Sequence, residues 1–236
     1  MSKPNSRYPL LSLIVLVLFI NQAKADLVIV ASADGYANVR SQPVLDGEII
    51  TPLQNNTALL IDGVYADEHP DTKWHKVYYG RDPYCMDCTP DLSEGYETGF
   101  IHQSQLKKIS SLTQADSTVF HMHYTVSTFN PSGKDIRYSE DAATIERING
   151  KSYFGADCGI PQTEITQATA WVVDRQFDIP MDFFWGILHA GNNFQYYKHQ
   201  DNFFALQRLG DGACFTDIVW VFDSGGLKQR ILGASY

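Results

Sequence analysis

The stretch Gly35-Tyr36-Ala37-Asn38-Val39-Arg40-Ser41 decides how the amino-terminal half folds. Side chains alternate across a strand, so Ala37, Val39 and Ser41 share one face while Asn38 and Arg40 share the other. Small apolar residues on one face and polar ones on the other describe a short, half-buried strand opened by a glycine. Working outward, comparable short runs occur at 27–31, 58–61, 74–79 and 99–102, separated by Gly- and Pro-containing turns. Short strands at this spacing, from Asp26 to about Ile109, predict a small barrel of antiparallel strands.

These residues also carry a resemblance. The 35–41 stretch looks like the opening motif of the bacterial SH3 (SH3b) family. Asp46-Gly47-Glu48-Ile49-Ile50 is similar to the turn that follows it, Trp74-His75-Lys76-Val77 to its central strand, and Gly99-Phe100-Ile101-His102 to its closing strand. The four motifs come in the family's order and cover most of 26–109. Gly47 suits a tight turn and Gly99 permits close backbone approach. The chain departs from the family by an insertion at 80–98, whose Cys pair, two prolines and two tyrosines are expected to form a rigid protrusion. The resemblance implies binding rather than catalysis, with cell-wall peptides or proteins held in an aromatic groove. Tyr36, Trp74 and Tyr78 are the candidate groove residues, since amphipathic rings bury area while keeping a polar handle. For a strand residue such as Trp74 the first reading is core, which makes Tyr36, at a strand start beside Gly35, the better groove candidate.

The amino terminus reads as an export signal. Lys3 and Arg7 precede an eleven-residue apolar run at 10–20 broken only by Ser12, and Ala23-Lys24-Ala25 predicts cleavage after Ala25. At 1.5 Å per residue the run covers about half of a roughly 30 Å bilayer core, which argues against an uncleaved anchor. The full chain carries 18 basic and 27 acidic residues, a net charge of −9. Cleavage would remove Lys3, Arg7 and Lys24 and no acid, leaving 15 basic against 27 acidic side chains, a net of −12. Such a balance disfavours nucleic-acid binding, which relies on clustered Lys and Arg. The mature protein is therefore expected to be soluble and periplasmic or secreted.

In an oxidising compartment the four cysteines, Cys85, Cys88, Cys158 and Cys214, predict disulfides. Cys85 and Cys88 lie between Pro83 and Pro90, so no helix starts there to activate a thioredoxin-like thiolate. A zinc site would have to recruit His75 and His102. A local Cys85–Cys88 bridge is expected instead. Cys158–Cys214 would then staple the second half, closing 55 intervening residues. Chain entropy assigns such a loop about 4 kcal/mol.

Ser110 to Ser117 is small and polar and reads as a linker. Beyond it, in 118–236, strand signals recur at 118–129, 143–148, 165–174, 203–209, 216–222 and 227–232, with one helix at 181–188 after Pro180. Asn149-Gly150, Gly210-Asp211-Gly212 and Ser224-Gly225-Gly226 mark turns. A mainly β protein results: an SH3b-type small barrel, then a β-rich, sandwich-like α+β domain with one or two short helices. His121 and His123 share one strand face without an evident third metal ligand, and His189 and His199 flank an aromatic loop at 192–197. Asp157 and Asp211 read as turn residues.

Ala156-Asp157-Cys158-Gly159-Ile160 resembles the nucleophile motif of NlpC/P60 peptidases, which would make Cys158 catalytic. No Ser follows it, Pro161 arrives three residues later, 165–173 favours strand, and the family's histidine strand is missing. The segments 154–161, 179–180, 210–214 and 219–221 loosely resemble an uncharacterised family of bacterial β-rich proteins, a likeness that implies no activity. No cofactor or metal is implied. The expected function is non-covalent binding of peptidoglycan peptides or an envelope protein. A periplasmic inhibitor or immunity protein against a cell-wall hydrolase or toxin is the first alternative, and the peptidase the second.

Overall fold

The computed structural model describes residues 26–89, 91–140, 144–155, 159–210 and 215–233. The expected export signal, Asp157, Cys158, Asp211 and Cys214 lie outside the described residues, and with them the Cys158–Cys214 bridge and the peptidase motif. The protein is mainly β, with several antiparallel sheets and, among the described residues, two short α-helices.

The first half comprises β1 (Leu27–Val30), β2 (Tyr36–Arg40), β3 (Ile49–Gln54), β4 (Ala58–Ile61), α1 (Gly63–Glu68), β5 (Trp74–Gly80), β6 (Tyr96–His102) and β7 (Leu106–Lys108). Its seven strands form one sheet in the order β3-β2-β6-β5-β4-β1-β7. One face wraps around Val28, Val30, Ala37, Val39, Leu59, Ile61, Val77, Tyr79 and Ile101. Gly99 meets the expectation of close approach, because a Cβ there would lie 2.4 Å from Val39 Cγ1. The 46–50 stretch runs into strand β3, with Pro52 in it. Pro donates no ladder hydrogen bond and is tolerated because β3 is an edge. Asp62 starts α1 by accepting from the Tyr65 N–H at 3.0 Å.

The second half begins sooner than its composition suggests. The expected linker is a structured joint: Leu112 is buried, and β8 (Thr113–Gln114) adds an edge to a carboxy-terminal sheet. Polar composition hid it because a two-residue edge strand needs backbone pairing, not apolar side chains. The remaining strands are β9 (Phe120–Thr128), β10 (Ile136–Tyr138), β11 (Ile145–Ile148), β12 (Thr163–Val172), β13 (Arg175–Ile179), β14 (Gln195–His199), β15 (Asn202–Leu209), β16 (Thr216–Asp223) and β17 (Gly226–Gly233). They form sheets β10-β11, β13-β12-β9 and β17-β16-β15-β14-β8.

The last two sheets pack face to face. Phe120 lies 5.2 Å from Phe203 and 5.5 Å from Phe222 between ring centroids, and Trp220 Nε1 donates to the Tyr124 hydroxyl at 2.8 Å. Helix α2 spans only Met181–Phe184, not 181–188, because the chain turns at Gly186, whose φ is +82°. The aromatic loop at 192–197 is likewise partly strand β14.

The two halves share a core. Ile29, Ala58 and Leu60 turn their side chains into the same cluster as Phe120, Phe204 and Trp220. At this seam Gln229 substitutes for a strand partner: its Oε1 accepts from Ala58 N–H at 2.7 Å and its Nε2 donates to Ala58 C=O at 2.9 Å. Gln229→Leu would leave both Ala58 groups buried and unpaired. We expect a loss of about 2–4 kcal/mol in unfolding free energy, read by denaturant melts, with one transition retained. Separate transitions for the two halves would contradict the shared core.

Candidate binding face and the buried arginine clamp

The three sequence-predicted groove residues occupy one face of the first sheet. Register pairs Arg40 with Phe100 and Phe100 with Lys76, and Trp74 with His102, so these side chains share a face with Tyr36 and Tyr78. The opposite positions, Ala37, Val39, Val77, Tyr79 and Ile101, are buried. Tyr36 is 41% exposed at the start of β2, after Gly35 at φ +83°. Trp74 is half-buried, its ring edge-on to His102 at 5.4 Å, so it is a surface rather than a core residue. Helix α1 lays Tyr65 beside Phe100 at 5.3 Å and stacks it on His69 at 4.3 Å.

Tyr78 is engaged within the protein. Its hydroxyl donates to Asp62 Oδ2 at 3.1 Å, beside the Lys76–Asp62 ion pair at 2.9 Å. Burial raises the Asp62 carboxyl, but hydrogen bonds from the Tyr65 N–H and Lys76 outweigh it and hold it below its usual value. Lys76 is shifted up by its bond to Asp62, and Tyr78 by burial and then by the Asp62 charge. The structure therefore places Tyr36 and Trp74 on an open aromatic face and Tyr78 at its structural margin.

The 80–98 insertion is no protrusion. Residues 83–85 and Leu92 pack against β17, with the disulfide-bonded Cys85 and Cys88 only 1% and 4% exposed and their Cα atoms 5.0 Å apart. The cause is a residue that sequence reasoning missed. Arg230, 3% exposed, donates from Nε to Tyr84 C=O at 2.7 Å, from Nη2 to Cys85 C=O at 2.6 Å, and from Nη1 to Phe183 C=O. Its backbone N–H donates to Pro83 C=O at 2.9 Å. Carbonyl dipoles thus take the place of a carboxylate, and burial brings the guanidinium down to about 10. Burial raises the neighbouring Tyr96 and Tyr124 hydroxyls, and Tyr96 donates to Leu232 C=O. Beside the clamp lies a cavity of about 250 Å³ walled by charges of both signs, including Asp87, Glu94, Arg147, Lys151 and Asp182.

The histidines have separate environments. His121 and His123 do share a face, yet His121 stacks on Trp171 at 4.6 Å and lies 2.9 Å, by Nδ1, from Ser117 C=O. His199 Nδ1 is hydrogen-bonded to Asn56 Oδ1 at 2.6 Å, another tie across the seam. His189 has a φ of +56°. Among the described residues no group of three or more His, Cys, Asp or Glu converges as a metal site would require.

Comparison with known proteins finds no match: no family model fits the chain, and neither a curated protein nor a solved structure resembles it significantly.

Proposed function

We propose that this is an exported binding protein of the bacterial envelope, whose first half is an SH3b-type module recognising peptidoglycan peptides. The observation that carries the reading is the single face shared by Tyr36, Trp74, Phe100 and His102, with Tyr36 standing clear of the core. Stiff amphipathic rings give large contact area at low entropic cost, which is how a shallow face binds an extended peptide. The Cys85–Cys88 disulfide fits an oxidising compartment. No helix among the described residues is long and apolar enough to cross a membrane.

Sedimentation with purified peptidoglycan tests the reading. The wild-type chain is expected to co-sediment, and Tyr36→Ala to lose roughly tenfold in retention while melting at an unchanged temperature, as an exposed ring should. Wild-type protein that stays in the supernatant, or a variant retained as well as wild type, refutes it.

A further inference from the structure

A second surface, remote in character from the aromatic face, lies at the tip of the β2–β3 hairpin. Leu45 is 77% exposed there, and Val44, Ile49 and Ile50 are 43%, 49% and 47% exposed. Val44 and Leu45 in the turn, followed by Ile49 and Ile50 at the start of β3, put four exposed large apolar side chains within seven residues of a protein of net charge −9.

The tip is also held in one shape. Arg40 Nη1 donates to Gly47 C=O at 2.7 Å, Ser41 N–H to Glu48 C=O at 2.9 Å, and Gly47 N–H to Val44 C=O at 3.2 Å. A Cβ on Gly47 would come within 3.1 Å of Gln42 C=O, so the turn is closely packed. A knob fixed before binding loses little conformational freedom on docking. Its charges select the partner. Asp46 directly after Leu45 and Glu48 two residues further on are exposed, and anionic lipid headgroups would repel them. A second copy of the acidic chain would be repelled likewise.

We propose that this tip docks into an apolar pocket of a protein whose rim carries lysine or arginine side chains. Leu45 fills the pocket, Val44 seals it, and Asp46 and Glu48 meet the cationic rim. The interaction does not depend on the peptidoglycan reading.

The test is photo-crosslinking of the full chain carrying p-benzoylphenylalanine in place of Leu45, in the envelope of cells of the source organism. A control carries the same group in place of Val173, which is 53% exposed at a different turn. The expected result is one protein adduct from position 45 and none of it from position 173. That protein, purified, should bind the wild-type chain, with Leu45→Ala weakening binding roughly tenfold. The Asp46→Lys, Glu48→Lys double variant should weaken it at low ionic strength, and the difference should shrink as salt is added. Leu45→Ala should co-sediment with peptidoglycan like wild type, so the two readings fail separately. No adduct, an adduct with a second copy or with lipid, the same adduct from position 173, or binding indifferent to Leu45→Ala overturns the proposal.

Discussion

Replacing Arg230 by Met is expected to lower the unfolding free energy by about 3–5 kcal/mol, the largest effect of any conservative-volume change at the seam. Methionine fills a similar space but donates nothing. The Tyr84, Cys85 and Phe183 carbonyls would then lie buried without their partner. Each orphaned group costs on the order of 1–3 kcal/mol, offset in part by no longer burying a cation. Urea melts read the loss, and hydrogen exchange should place the added opening in residues 81–95. A variant within about 1 kcal/mol of wild type would show that the carbonyls find other donors and that the clamp is dispensable.

Gly95→Ala should cost about 3 kcal/mol or more, and Gly133→Ala only about 1–2. Both glycines sit at similar positive φ, +80° and +76°, where an L side chain is strained to a similar degree. They differ in what surrounds them. A Cβ at Gly95 would lie 2.5 Å from Cys88 N and 2.6 Å from the Asp87 carbonyl carbon, whereas nothing lies within 4 Å at Gly133. The difference between the variants isolates the clash with the disulfide turn, which is backbone and cannot swing aside. Thermal or denaturant melts of the pair decide it; equal losses would show that the turn yields.

Much of the fold was legible in the residues. Alternation in 37–40 and 74–79 located two strands of the first sheet, and Asn149-Gly150, at φ +51° and +74°, forms the expected turn between β11 and the bridge at Lys151. The docking of the halves had a signal too. Leu27-Val28-Ile29-Val30 and Ala58-Leu59-Leu60-Ile61 are apolar throughout, and an unbroken apolar run means a strand covered on both faces. The second cover is the carboxy-terminal half. Gln229 and Arg230 follow Lys228 in a run of three polar residues, which in sequence reads as a solvated stretch, so nothing local marked these two as buried; their partners come from non-local packing. At the aromatic face, sequence separated exposed Tyr36 from its surroundings by its place beside Gly35. It could not foresee that Asp62 engages Tyr78, because that contact depends on how α1 returns over β5.

The positions of Gln229 and Arg230 along the chain have a kinetic consequence. Ala58 waits for a partner 171 residues away, and Cys85 for one 145 residues away. Closing such loops is entropically slow, and chains rich in distant contacts fold on the slow end of the range. The first half therefore cannot reach its final packing as it emerges. Until β17 is in place, the apolar outer faces of β1 and β4 stay exposed, and the interval favours holding by a chaperone. The Cys85–Cys88 ring spans a separation of only three residues and needs no such wait, so oxidation can close the 85–88 turn first and present it formed to Arg230. Packing of the first sheet thus waits on a strand made well after it: β17 belongs to another sheet and supplies cover, not a strand, to the face of β1 and β4.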